Sequence, residues 1–165
     1  MITAESREGC LPLVRISRHA LALASRHAME AGSKELGGIM VGWWVGASTA
    51  VVHDLLMVPD VDADSNHYKR RHRGAQEILN SYRKGLDDQR VGYMGEWHSH
   101  PAPQPPSEID RAALAAITRR GCTAVVLVVL SVAQGRVTPH ALIGRPGRWP
   151  RLQTLQQAEI EWMEP

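Results

Sequence analysis

The sequence contains no phenylalanine and only two cysteines, Cys10 and Cys122. Two cysteines argue against a disulfide scaffold and against a four-cysteine zinc site. No apolar run reaches the ~18 residues of a membrane span. The longest, Thr123–Val132, has the length of a strand. The opening residues, MITAESREGC, lack the apolar core of a signal peptide. Charge of one sign is also scarce: 19 basic and 17 acidic residues give a formal +2, too mild to imply a nucleic-acid partner. These absences argue against the secreted, membrane and disordered classes, and the expectation is a cytoplasmic globular domain. With 44% apolar and 22% charged residues the composition is that of an ordinary soluble domain. A chain of 165 residues is one domain, expected over residues 1–165, and can bury roughly 70% of its unfolded surface without staples.

The pattern along the chain alternates strands and helices. Leu11–Ile16 reads as a short edge strand. From Ser17, the apolar residues Leu21, Leu23, Ala24, Ala28 and Met29 recur at helical spacing up to Gly32. Gly37–Trp44 and Thr49–Val58 read as a strand pair with a turn at Gly46-Ala47-Ser48. Pro59 to about Lys69 is a polar loop, and Arg70–Lys84 a helix. Val91–His98 is a strand. Pro101–Pro106, with four prolines in six residues, excludes regular structure. Ser107–Arg119 is a helix, Ala124–Val132 the central strand, and Arg136–Ile143 a further strand. The end reads as a weak helix after a loop at Gly144–Pro150. The expected fold class is a single α/β domain.

The chemistry is concentrated in Gly95-Glu96-Trp97-His98-Ser99-His100-Pro101 and Ser107-Glu108-Ile109-Asp110. Residues two apart on a strand point to the same side, so His98 and His100 present two imidazoles on one face. Two neutral imidazoles and a carboxylate, with water in the fourth position, make a catalytic zinc site. Asp110, in the first turn of the next helix, supplies the carboxylate. Alone, Ser107 three residues before Asp110 fits an ordinary capping box. A hydrolytic site also needs a carboxylate as base. Glu96, Glu108 and Glu35 are the candidates, and spacing does not choose among them.

Asp60-x-Asp62-x-Asp64 resembles the start of an EF-hand loop. Ser65 stands where glycine is needed, and Arg71 where glutamate is needed, so it is an acidic solvated loop. Lys69-Arg70-Arg71-His72-Arg73 reads as a solvated helix start. Cys122 reads as a small core residue. Trp43 and Trp44 face opposite sides of their strand, and Trp97 packs beneath the strand of the histidines.

Glu35-Leu36-Gly37-Gly38, the His98-Ser99-His100-Pro101 segment and Ser107-Glu108-Ile109-Asp110 together resemble the JAMM (MPN+) metalloproteases, above all their short bacterial JAB-type members. The resemblance implies a mixed, curved sheet flanked by helices, of cytidine-deaminase-like architecture. It implies that His98, His100 and Asp110 bind Zn2+, that Glu35 holds and deprotonates the attacking water, and that Ser107 hydrogen-bonds the oxyanion. It implies a zinc isopeptidase cutting after the C-terminal glycine of a ubiquitin-like protein or its conjugates. The Gly-Glu-Trp-His-Ser-His-Pro version points to the CBASS anti-phage setting, with activating and conjugating enzymes and a cGAS-like nucleotidyltransferase as partners. Two alternatives carry the same resemblance: release of an amino acid or tail from a ubiquitin-fold sulfur carrier, and a non-catalytic scaffold. The stretch between His100 and Asp110 is one residue shorter than the family's common spacing, and the proline-rich loop is expected to absorb the deletion before Ser107.

Overall fold

The computed structural model describes residues 11–59, 72–147 and 153–164. The elements in chain order are β1 (Leu13–Ser17), α1 (Arg18–Glu30), β2 (Gly37–Val45), β3 (Thr49–Met57), α2 (His72–Lys84), β4 (Gly92–His100), α3 (Glu108–Gly121), β5 (Val125–Ala133), β6 (Arg136–Pro146) and β7 (Gln153–Met163). This is a mixed α/β domain, as the alternating pattern requires. The sheet curves until it closes, in the order β1-β3-β2-β4-β5-β6-β7 and back to β1. The loop expected at Pro59–Lys69 lies outside the described residues from residue 60 onward, as do Asp60, Asp62 and Asp64 and the basic residues Lys69, Arg70 and Arg71.

Helix α1 begins where the Ser17 hydroxyl accepts a hydrogen bond from the Ala20 amide. The stripe it buries is Ala20, Ala24 and Ala28 rather than the larger residues of the helical pattern, and Met29 is exposed. Alanine lets the helix axis come close to β1, β3 and β5, against which it packs. Ala20 and Ala24 join Val14, Ile16, Val52, Met94, Trp97, Val128 and Leu130 in the main core.

Strand β5 explains its own apolar run. Val126, Val128 and Leu130 enter the main core, while Val125, Leu127 and Val129 pack with Leu114 of α3 on the other side. A strand buried on both faces reads as continuous hydrophobicity. Each such side chain contributes roughly 1.5–3 kcal/mol relative to exposure.

Four expectations are corrected. The C-terminal segment is a strand, not a weak helix: β7 pairs antiparallel with β6 and parallel with β1. In consequence β1 is not an edge, being bracketed by β3 and β7. Cys122 is not a core residue. It is exposed and caps α3 in the left-handed conformation, φ 50°. In a closed ring no strand is central; β5, expected to be so, lies between β4 and β6 and is set apart by burial on both faces. Trp44 packs against the main core with the Arg145 guanidinium over its ring, while Trp43 lies under Arg90.

Candidate metal centre

The site is built on β4, and a bulge sets its faces. Met40 pairs with Gly95 and Val41 with Tyr93, so Met94 has no partner on β2. Met94 and Trp97, three apart, therefore both point into the core. Gly95 sits at the irregularity with φ 153°, and a Cβ there would lie 1.8 Å from the Val126 carbonyl oxygen. Only glycine fits. Beyond the bulge the alternation is regular: Trp97 and Ser99 are buried, and Glu96, His98 and His100 turn to the opposite face, toward α3.

Pro101 ends the strand, and the proline-rich loop returns the chain to α3. Ser107 is the N-cap of that helix, and the capping box is complete. The Asp110 amide donates to Ser107 Oγ at 3.2 Å, and the Ser107 amide donates to Asp110 Oδ2 at 2.6 Å. The bland expectation for Ser107 is thus met. The Ser107 hydroxyl also donates to Asp110 Oδ2, at 2.7 Å. The six-residue loop spans the gap without displacing the Ser-x-x-Asp turn.

Three ligand groups converge. His98 Nε2 and His100 Nε2 are 3.2 Å apart, His98 Nε2 lies 3.1 Å from Asp110 Oδ1, and His100 Nε2 lies 3.4 Å from Asp110 Oδ2. One Asp110 oxygen thus faces each imidazole, and ligand atoms of all three residues lie within 4.8 Å of one another. Two imidazoles and a carboxylate gathered in this way suit a tetrahedral ion with a fourth position left to a water or substrate. His100 Nδ1 lies 3.1 Å from the Gln104 carbonyl oxygen. Donating there places the proton on Nδ1 and leaves Nε2 as the ligand atom. His98, His100 and Asp110 are the residues that could hold a metal among those described.

The electrostatics fit the same picture. Burial opposes ionisation of Asp110, but hydrogen bonds from His100, His98 and Ser107 outweigh it and hold the carboxyl well below the usual range. The hydrogen bond to Asp110 raises the His100 pKa against the opposing effect of burial, with the Gln104 carbonyl and the charges of Asp110 and Glu35 adding to it. His140, on β6, is shifted down by burial and by the charge of His100.

Of the three candidate bases, Glu35 and Glu96 line the 280 Å³ cavity that holds the triad. Glu108 does not; its side chain is 96% exposed, 3.9 Å from Arg111. Glu35 arrives by a backbone clamp. Ser99 Oγ accepts from the Leu36 amide at 3.0 Å, the Ser99 amide donates to the Leu36 carbonyl at 2.7 Å, and Gly37 pairs with His98. The middle residue of His-Ser-His thus ties the glutamate's strand to the histidines. Glu96 lies about 6.6 Å farther back along β4, two residues from His98. The Tyr93 hydroxyl donates to it at 3.4 Å. Tyr93 and the Gln104 carbonyl escaped the sequence reading. A backbone carbonyl has no residue signature, and the bulge that brings Tyr93 to Glu96 is invisible to simple alternation.

No helix among the described residues is long and apolar enough to cross a membrane. The solution structure of a protein from Desulfitobacterium hafniense, 17% identical, has the same fold with a TM-score of 0.67, covering 92% of this chain and 94% of that one. A protein of Enterobacter hormaechei subsp. hoffmannii named CD-NTase/cGAS isopeptidase is 30% identical over 132 residues, 76% of this chain and 71% of that protein. Residues 17–146 match the family model described as prokaryotic homologs of the JAB domain, and the chain belongs to that family.

Proposed function

We propose that the protein is a zinc-dependent isopeptidase that cuts after the C-terminal glycine of a ubiquitin-like protein, with a conjugate of a CD-NTase (cGAS-like) enzyme as its substrate. The observation that carries the chemistry is the convergence of His98, His100 and Asp110, with ligand atoms within 4.8 Å of one another and a carboxylate, Glu35, in the same cavity. The likeness to the Enterobacter isopeptidase supports the substrate class. The proposal extends, on the family resemblance of the motif, to a cytoplasmic setting among activating and conjugating enzymes of a ubiquitin-like system.

His98 Nε2, His100 Nε2 and an Asp110 carboxylate oxygen would hold the ion. Zinc bound there supplies Lewis acidity toward the scissile carbonyl and lowers the pKa of a coordinated water. Glu35 accepts the proton of the attacking water on its carboxylate and passes it to the leaving amine nitrogen. Ser107 Oγ, exposed and lining the cavity, turns its single proton from Asp110 Oδ2 to the developing oxyanion; one such donor is worth roughly 3 kcal/mol in other hydrolases. Three protein ligands are what a catalytic rather than a structural site offers.

The test is a comparison of wild type with Glu35→Gln for metal content and for cleavage of the ubiquitin-like conjugate of the CD-NTase. Both proteins should carry about one zinc per chain. The variant should lose ~10²–10⁴ in turnover and retain the uncut conjugate in a pull-down. Undiminished cleavage by Glu35→Gln would sink the assignment of the base. Absence of zinc from both proteins would make this a metal-free scaffold.

A further inference from the structure

The run Val125–Ala133 contains one polar residue, Ser131, and it is buried to 3% exposure. A buried hydroxyl requires a hydrogen-bond partner. Its partner is a loop carbonyl: Ser131 Oγ donates to the Gln104 oxygen. The same oxygen accepts from His100 Nδ1 at 3.1 Å. The register makes this convergence possible, because Ser131 stands directly beside His100 across the parallel β4–β5 pair. Gln104 is ready for the role. Pro105 follows it and biases it to an extended backbone, and its own amide donates to the Ala102 carbonyl at 2.8 Å.

We propose that Ser131 is a positioning residue for the metal centre: its hydroxyl fixes the Gln104 carbonyl, and that carbonyl fixes the tautomer and tilt of His100. The inference rests on the metal-binding reading above. It goes beyond it by assigning a function to a residue that touches neither ion nor substrate. Without the hydroxyl, the Gln104 carbonyl keeps, among the described residues, the ring it is meant to orient as its one hydrogen-bond partner. The ring and the loop then move together, and Nε2 loses its fixed direction toward the other two ligands.

The experiment separates hydroxyl from volume. Ser131→Thr keeps the donor, and Ser131→Val matches threonine in shape without it. Affinities for Zn2+ and Co2+ are measured by competition with a chromophoric chelator, together with the visible absorption of the cobalt form. Outer-sphere partners of metal-bound histidine are typically worth 10–100-fold in affinity. Ser131 acts one bond further out, so about tenfold weaker binding is expected for Ser131→Val, with Ser131→Thr within roughly threefold of wild type. If Ser131→Val does not fold, Ser131→Ala takes its place. In the zinc-loaded wild type, ¹H–¹⁵N spectra should show a His100 Nδ1 proton protected from exchange with solvent, and Ser131→Val should lose that protection. Equal affinities and equal Nδ1 proton protection in the Val and Thr variants would overturn the inference and leave the metal-binding reading standing. A wild-type protein that binds neither ion would overturn both.

Discussion

The two faces of β4 share one backbone and do different work. The inner face offers Met94, Trp97 and Ser99, all nearly inaccessible to solvent. Trp97 is 1% exposed, and its indole N–H donates to the Leu56 carbonyl at 3.2 Å. The outer face offers Glu96, His98 and His100 to a cavity. Packing on one side immobilises ligands on the other, so the rigidity a metal centre needs comes from residues that never meet the metal. The alternation of a single strand, reset once at Gly95, separates stability from chemistry within seven residues.

Paired substitutions on adjacent residues test that separation most directly. Trp97→Ala should cost ~3–5 kcal/mol of stability, lowering the thermal midpoint by roughly 10 °C or more. His98→Ala should abolish stoichiometric metal binding while changing the stability of the metal-free protein by only about 1 kcal/mol. Calorimetry and elemental analysis on both variants decide it. If His98→Ala unfolds the protein as badly as Trp97→Ala, the two faces are not independent.

Ser107 sharpens the comparison, because it sits where both tasks meet. As an N-cap it is worth about 1 kcal/mol to α3, and as an oxyanion donor roughly 3 kcal/mol to turnover. Ser107→Gly should recover most of the capping energy but none of the rate. Denaturant titration beside single-turnover kinetics measures both, and a rate that recovers with the cap would leave Ser107 a structural residue.

The smallest effect expected is with pH. In the metal-free protein the Asp110 pKa is depressed from 3.8, so its contribution to stability is present above pH 3.8 and lost as pH falls through the lower folded value. The His100 pKa is raised from 6.5, so its contribution is complete below pH 6.5 and lost as pH rises through the higher folded value. The pair therefore stabilises the metal-free fold most between those limits. Metal binding runs the other way and strengthens as His100 deprotonates. Urea midpoints of the metal-free protein at pH 6 and 8, against Asp110→Asn, check the sign. A wild-type midpoint that rises over this interval more than the variant's would contradict it.

Most of the site was legible in the sequence because its signals are local. His98 and His100 are two apart on a strand, and Ser107 and Asp110 three apart at a helix start. Glu35 lies far off in sequence, and only the family resemblance singled it out from Glu96 and Glu108. The clamp through Ser99 that carries it to the site joins positions 63 residues apart. The fold was legible except where pairing is remote. Gln153–Met163 holds three glutamines and two glutamates, which favour helices. Yet Ala158 enters the main core, Leu155 packs beside α3, and Arg15 of β1 pairs with Glu161 at 3.0 Å. Partners on β6 and β1 override propensity there, and those on β1 lie some 146 residues away, outside any local window.

The closure of β7 onto β1 also orders events during synthesis. Every residue of the candidate metal centre, and the strand beside it, is in the chain before β7 has been made, but the ring cannot shut until β7 emerges. Until then β1 and β6 each present an unpaired edge, the feature that templates association between nascent chains. A slow ribosome or a truncated message thus exposes two open edges on a molecule whose candidate site residues have already been translated. The interval between those events is the time in which a chaperone would be needed most.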